Sequence, residues 1–341
     1  MRDLARLLSF RRLSAIYIFV VLFVIFSIIE PDTFLASGTW RSLLDSQALV
    51  AMAAIGLMLP VAAGTFDLAI GSEVGFSSIL VSWLLVSHGV SVGLAVPLTL
   101  VAGAVVGLIS GFLVAVLKID SFIATLGMSS VVGACTSWVS GGSQILDLPA
   151  GFVSFATKRF LGITYPVFVM LLVALVVWYV MENTAVGRRV YATGGNEPSA
   201  RLAGVATARI QIGALVCCGV IAAGVGLLLA SRLGTGDPTV GPSYLLPSFS
   251  AVFLGSTQFR AGRFNVWGTV VAVYVLAVGV TGLQLAGAPV WIPDLFNGLA
   301  LILAVGLAKF GSADNKALAG VRRLVDSLPL VGDKSDKKVA A

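Results

Sequence analysis

Charge is what this sequence has least of. Only 11% of its 341 residues are charged, against 58% hydrophobic residues and a mean hydropathy of +1.01. A soluble domain carries about 25% charged residues, so a water-soluble enzyme of this length is excluded and an integral membrane protein is expected. Histidine is nearly missing, with His88 the only one. That excludes HExxH and Cys/His metal spacings and leaves a membrane serine hydrolase without a base; His88 itself reads as a solvated turn residue. The dipeptide Gly-Lys never occurs, so there is no G-x-x-x-x-G-K-[ST] phosphate loop. The three cysteines (Cys135, Cys217, Cys218) sit inside apolar runs as small hydrophobes and offer no disulfide framework. The apolar runs are continuous, as in Ile16–Ile29, rather than alternating as barrel strands do. The formal charge of +6 is read as membrane topology, not as a nucleic-acid surface.

What is present is apolar helix. At about 20 residues per span, the composition allows about ten. We place them at roughly 13–29, 46–63, 68–87, 92–117, 121–140, 162–181, 210–230, 247–259, 264–284 and 291–308. The first follows Arg2, Arg6, Arg11 and Arg12 and ends at Glu30-Pro31-Asp32 with no small-residue cleavage site, so it reads as a retained span. With both termini cytoplasmic, the inner segments hold 18 of the 22 Lys and Arg residues and leave Arg41, Lys158, Arg159 and Arg232 outside, as the positive-inside rule requires. The expected organisation is an all-α polytopic protein: a cytoplasmic N-terminus (1–12), a transmembrane domain (13–308) with a long cytoplasmic loop (183–209), and a cytoplasmic tail (309–341), partly disordered, with Arg322 and Arg323 near lipid headgroups. On the outer side, 141–161 has room for a short surface helix and 232–246, with three glycines and two prolines, forms a looped cap.

Gly103-x-x-x-Gly107-x-x-x-Gly111 places small residues on one helix face, which lets another helix approach closely. Asp67 and Glu73 are acidic residues at or near the membrane, where a carboxylate normally faces protein, water or a partner. Two readings are open. The glycines around them break a helix and aim Asp67 and Ser72 inward, or Asp67 N-caps the third span and Glu73 sits on its first polar turn.

The loop at 183–209 is the most informative segment. Gly194-Gly195 is expected to turn, Asn196 to cap, and Glu197 and Pro198 to occupy the first turn of a short helix running to about Ala206. Leu202 and Val205 would share a face while Arg201 points elsewhere. A capped helix in one of the few long loops is a docking surface or a solvated linker.

These residues carry a resemblance. Gly187-Arg188, Tyr191-Ala192-x-Gly194-Gly195-Asn196 and Ala200-Arg201-Leu202-x-Gly204 resemble the cytoplasmic signature of the permease subunits of ribose-type sugar importers, of the ATP-binding-cassette class. Gly64–Ser72 is similar to that family's Gly-Gly-x-Asp-Leu-Ser-Val-Gly-Ser, with Thr65 and Ala69 differing. Phe122–Met128 matches its Phe-Ile-Ala-Thr-Leu-Gly-Met, although the Arg-Gly that often follows is replaced by Val131–Ala134. Leu254–Arg263 is similar to a glycine-rich motif in which Ser256, Ala261 and Phe264 here replace glycines. The likeness runs over about 45–310, in the family's order.

The resemblance implies a multi-pass permease of a bacterial inner membrane that does no covalent chemistry and binds no cofactor of its own, ATP being bound by a partner. Implied partners are cytoplasmic ATPase subunits docking on 183–209 (through Gly187, Arg188, Gly194, Gly195, Asn196, Glu197, Pro198, Ala200, Arg201, Leu202 and Gly204), a periplasmic or extracellular solute-binding protein, a second permease copy and membrane lipid. Phe66, Asp67, Ser72, Glu73, Phe122 and Thr125 are the candidate path residues. The weakly polar spans suit a neutral, sugar- or polyol-like cargo. The competing readings are an ion-coupled transporter using Asp67 and Glu73, a permease for branched-chain amino acids or nucleosides, and a membrane enzyme acting on lipid-linked substrates, for which a nucleophile with a base or a metal cluster is missing.

Overall fold

The computed structural model describes residues 14–258 and 262–312. Expectations for the N-terminal arginines, Arg260 and the tail with Arg322 and Arg323 lie outside the described residues. Within them the chain is almost wholly helical. Seven helices are long and apolar enough to cross a membrane: α3 (Ser37–Ala62), α4 (Ile70–Ser82, extended by a π-helical turn to Ser87), α5 (Val92–Ala115), α6 (Ser121–Ser140), α8 (Tyr165–Asn183), α11 (Thr207–Leu233) and α13 (Val266–Leu285). Three further apolar helices are α1 (Ser14–Ile29), α12 (Leu245–Ser256) and α14 (Ile292–Ser312). Between them lie α2 (Pro31–Phe34), α7 (Ala150–Thr157), α9 (Ala185–Gly195) and α10 (Glu197–Leu202). Each expected apolar span therefore coincides with a helix.

The second span starts earlier than hydropathy indicates. Residues 37–45 are helical and continue into α3, although Arg41 and Asp45 lower the local apolarity. Tertiary packing decides this: Phe34 and Trp40 join Phe23 and Phe26 of α1 in one aromatic cluster, which folds the connection down as helix. The sixth span starts at Tyr165 rather than 162, because Arg159–Phe160 and Ile163–Thr164 pair as a two-stranded hairpin. Its tip, Leu161 and Gly162, has positive φ at both residues, as a tight primed turn needs. The expected surface helix is α7, and the expected cap carries one short 3-10 turn at Gly241–Tyr244. His88 is exposed in its turn, with its ring 3.9 Å from that of Trp83.

α3 and α11 form the centre, α3 packing on α8, α11, α12 and α13, and α11 on α4 and α5 as well. The glycine stripe of α5 explains the closest of these contacts. A Cβ on Gly103 would lie 2.5 Å from the Gly219 carbonyl oxygen, and one on Gly111 2.9 Å from the Ile212 Cα, so backbone meets backbone along α11.

Candidate functional site

α3 stops at Ala62 because Gly64 turns left-handed, with φ of +82°. The Thr65 amide and hydroxyl both fold back to the Pro60 carbonyl, at 2.9 and 3.1 Å. The chain then runs without regular structure to Ala69 before α4 begins, so the first pair of long helices is interrupted by an irregular segment, 63–69. Free backbone amides there need partners, and one face of α6 supplies them. The Ser121 hydroxyl accepts from Phe66 N–H (3.1 Å), the Thr125 hydroxyl accepts from Leu68 N–H (3.0 Å), and the Ser129 and Ser72 hydroxyls meet at 2.8 Å. Residues 121, 125 and 129 repeat every four positions and form a polar ladder.

The six candidate path residues thus separate into groups. Phe66 and Phe122 are exposed and line one groove of about 370 Å³, together with Leu68, Phe249 and Phe253, with α14 closing its far side; no polar atom is presented to it. Thr125 is fully buried as a backbone clamp, and Ser72 is tied to α6. Asp67 is also fully buried. Its Oδ1 accepts from the Ala69 amide at 3.0 Å, and Cys218 of α11 lies against its carboxyl. The N-cap residue of α4 is Ala69, so Asp67 supports the helix start from two residues upstream without being its cap. Glu73 lies in the first turn of α4, buried, and neither carboxyl oxygen has a hydrogen-bond partner among the described residues. Both carboxylates therefore point into the packed interior and not into the groove. Phe249, Phe253 and the Ser121 and Ser129 hydroxyls were missed as site residues; the four-residue Ser/Thr spacing on α6 was the available signal.

The 183–209 segment forms two helices. Gly194-Gly195 does not turn as expected but ends α9, and the bend comes at Asn196, whose side chain accepts from the Ser199 amide at 2.9 Å and caps α10 as foreseen. α10 ends at Leu202, four residues short of Ala206, because Gly204 goes left-handed with φ of +82°. Leu202 and Val205 consequently do not share a helical face. Leu202 is 92% exposed and Val205 is half-buried beyond the helix. Ala200 is buried, Arg188 and Pro198 are exposed, and Gly187 lies so close to the Met181 carbonyl oxygen of α8 that a side chain has no room.

Three parts of the molecule converge on these helices. Gly194 packs on the end of α3: a Cβ there would collide with the Ala62 carbonyl oxygen, and one on Gly64 would sit 3.1 Å from the Gly194 Cα. Lys118, at the corner between α5 and α6, pairs with Glu197 at 3.4 Å. The turn before α13 is held by Tyr191, whose hydroxyl donates to the Phe264 carbonyl (2.8 Å) and whose ring carries the Arg263 guanidinium at 3.8 Å. An open recess of about 520 Å³ beside them is lined by Lys118, Glu197, Pro198, Arg201 and Leu202.

Glu197 organises this surface, accepting from Arg201 at 2.6 Å and Thr207 at 3.3 Å besides Lys118. Partial burial opposes its charge, but Lys118 and the hydrogen bonds outweigh it and hold the carboxyl below the ordinary glutamate value. A lowered folded-state pKa stabilises above the unfolded value and ceases to do so as pH falls through the folded one. Hydrogen exchange over 196–204, corrected for intrinsic rates, should therefore stay protected from pH 7 to about 4.5 and rise below it. Glu197→Gln should exchange a few-fold faster at pH 7 and lack the acid step; an unaltered profile in the variant would contradict the role given to Glu197.

A profile of the branched-chain amino acid transport system permease component family matches residues 41–305, from the start of the long helices into α14 and through both converging segments. The chain belongs to that permease family. The permease is 35% identical to the ribose import permease of Bacillus subtilis over 295 residues, covering 86% of this chain and 91% of that protein. It is 32% identical to the L-arabinose transporter permease of Azospirillum brasilense, with 90% of each chain covered, and 32% identical to the fructose import permease of Rhizobium meliloti, with 85% and 83% covered. No solved structure matches it. The permease is a multi-pass protein of the bacterial inner membrane and a transport component rather than an enzyme.

Proposed function

We propose that the permease imports a monosaccharide as one of two permease subunits of an ATP-binding-cassette importer. It has ten spans with both termini cytoplasmic. Separate ATPase subunits dock on α9 and α10, and a solute-binding protein delivers the sugar at the opposite face. The observation that carries the reading is the packing of Gly194 on the end of α3, because it joins the docking helices to the irregular segment whose Phe66 lines the groove. ATP-driven closure of the ATPases pushes α9 and α10, and the 63–69 segment moves with them between outward- and inward-facing arrangements. The apolar groove suits an uncharged solute whose C–H faces pass over Phe66, Phe122, Phe249 and Phe253. Ribose, arabinose and fructose relatives favour a sugar over the amino acid of the family description. An ion-coupled mechanism finds no support in the groove, since Asp67 and Glu73 are buried away from it.

Uptake of labelled ribose, arabinose and fructose into vesicles holding the permease with its ATPase and binding protein tests this. Uptake of one sugar should need ATP and survive dissipation of ion gradients. Uptake driven by an ion gradient without ATP would overturn it.

A further inference from the structure

Three of the four cations left outside by the charge pattern meet in one place. Arg41 near the start of α3, Arg159 of the hairpin and Arg232 at the end of α11 line a cavity of about 410 Å³ with a single acidic residue, Asp45. α3 runs from this cavity at Arg41 to the Gly194 contact at Ala62, so the two lie about 30 Å apart at opposite ends of the helix. Asp45 builds it without neutralising it. Its Oδ1 accepts from the Thr164 hydroxyl (2.8 Å) and amide (3.4 Å), its Oδ2 faces Arg159 at 3.9 Å, and its backbone carbonyl accepts from Arg232 at 3.2 Å. Arg41 has no ion pair or hydrogen bond in the described structure. Three guanidiniums against one carboxylate leave the cavity cationic on the face where membrane proteins carry fewest cations.

The surroundings define the ligand. The hairpin that brings Arg159 also projects Phe160 and Leu161, the latter 84% exposed, and Phe155 is exposed on α7 beside it. The Phe160 ring packs on Phe168 at 6.0 Å. From Phe168 an exposed apolar stripe, Leu171, Leu172, Leu175, Val176 and Tyr179, descends one face of α8. The hairpin joins the two features, Arg159 lining the cationic cavity and the next residue, Phe160, meeting the apolar stripe at Phe168, which fits a molecule with an anionic head and acyl chains. We infer that this cavity binds the headgroup of an anionic phospholipid, its phosphate held by Arg41 and Arg159 and its chains laid along α8. Guanidiniums match phosphate oxygens in pairs, which is why arginine and not lysine faces the cavity. A bound lipid would fix the hairpin and the starts of α3 and α8 at the membrane surface.

The test uses the purified full-length permease in nanodiscs of equimolar phosphatidylglycerol and phosphatidylcholine, with retained lipid measured by native mass spectrometry. The wild type should retain phosphatidylglycerol preferentially. The double variant Arg41→Gln, Arg159→Gln should lose that affinity by about thirtyfold at unchanged thermal unfolding; Arg232, tied to the Asp45 backbone, is left intact. Equal retention of both lipids, or undiminished phosphatidylglycerol in the double variant, overturns the inference. So does a double variant that keeps the lipid but loses its response to the binding protein, which would make the cavity a protein-docking site. Lipid retention needs neither ATP nor sugar, so its outcome is independent of the import reading.

Discussion

Leu202→Glu should abolish ATP-driven uptake and stimulation of the ATPase, by about a hundredfold or more, with the permease still folded and inserted. The size follows from two additions. Burying a leucine in an interface contributes about 1.5–3 kcal/mol, and a carboxylate trapped in its place costs more unless it finds a cation. At 92% exposure Leu202 touches almost nothing within the chain, so neither effect acts on folding. It stands at the end of α10 on the rim of the recess with Lys118, Glu197 and Arg201, the surface on which the proposed ATPase docks. Leu202→Ala should fall between, at about tenfold, the hydrophobic part alone. Arg201→Glu should give a comparable loss but also breaks the pair with Glu197, so Leu202 is the cleaner site. Coupled ATPase and uptake assays in proteoliposomes, with thermal unfolding alongside, decide the matter; wild-type stimulation in Leu202→Glu would remove the docking role of α10.

Gly194→Val should uncouple ATP hydrolysis from transport, whereas Gly195→Val should be nearly silent. The two glycines are adjacent in one motif and indistinguishable by type. A side chain on Gly194 collides with the Ala62 carbonyl and crowds Gly64, while nothing lies within 4 Å of one on Gly195. Backbone cannot yield as a side chain tip can, so α9 must lift from the end of α3 at a cost of about 1–3 kcal/mol. The expected result is retained co-purification with the ATPase, because the new side chain faces α3 and not the docking side of α9 and α10, and uptake reduced to background. Equal behaviour of the two variants would show that force does not pass through this contact. Gly194→Ala, the smaller intrusion, should lower uptake partially and Tm measurably.

How far the site could be read from residue order follows the same division. Asn196 as a cap, Pro198 in a first turn, a surface helix between residues 141 and 161, and the small face of α5 were all legible, because each depends on neighbours within a few positions. The length of α10 was not, since a left-handed Gly204 ends it before its apolar pattern does. The clearest case is the motif Phe122–Met128. Phe122 opens onto the groove and Thr125, three residues on, is wholly buried as a clamp for Leu68, a split that appears only once the irregular 63–69 segment is laid against α6.

The scarcity of charge and the continuous apolar runs were by themselves enough to determine a helical membrane protein and where its long helices lie. Transfer of each segment into lipid is a local property, summed over about 20 residues, so order along the chain suffices. Tertiary structure alone decided which of those residues do what. It turned Asp67 and Glu73 away from the groove, separated Gly194 from Gly195, and gathered Arg41, Arg159 and Arg232 around Asp45. Those outcomes rest on contacts between residues about fifty to nearly two hundred positions apart, and only the packed helices bring such residues together.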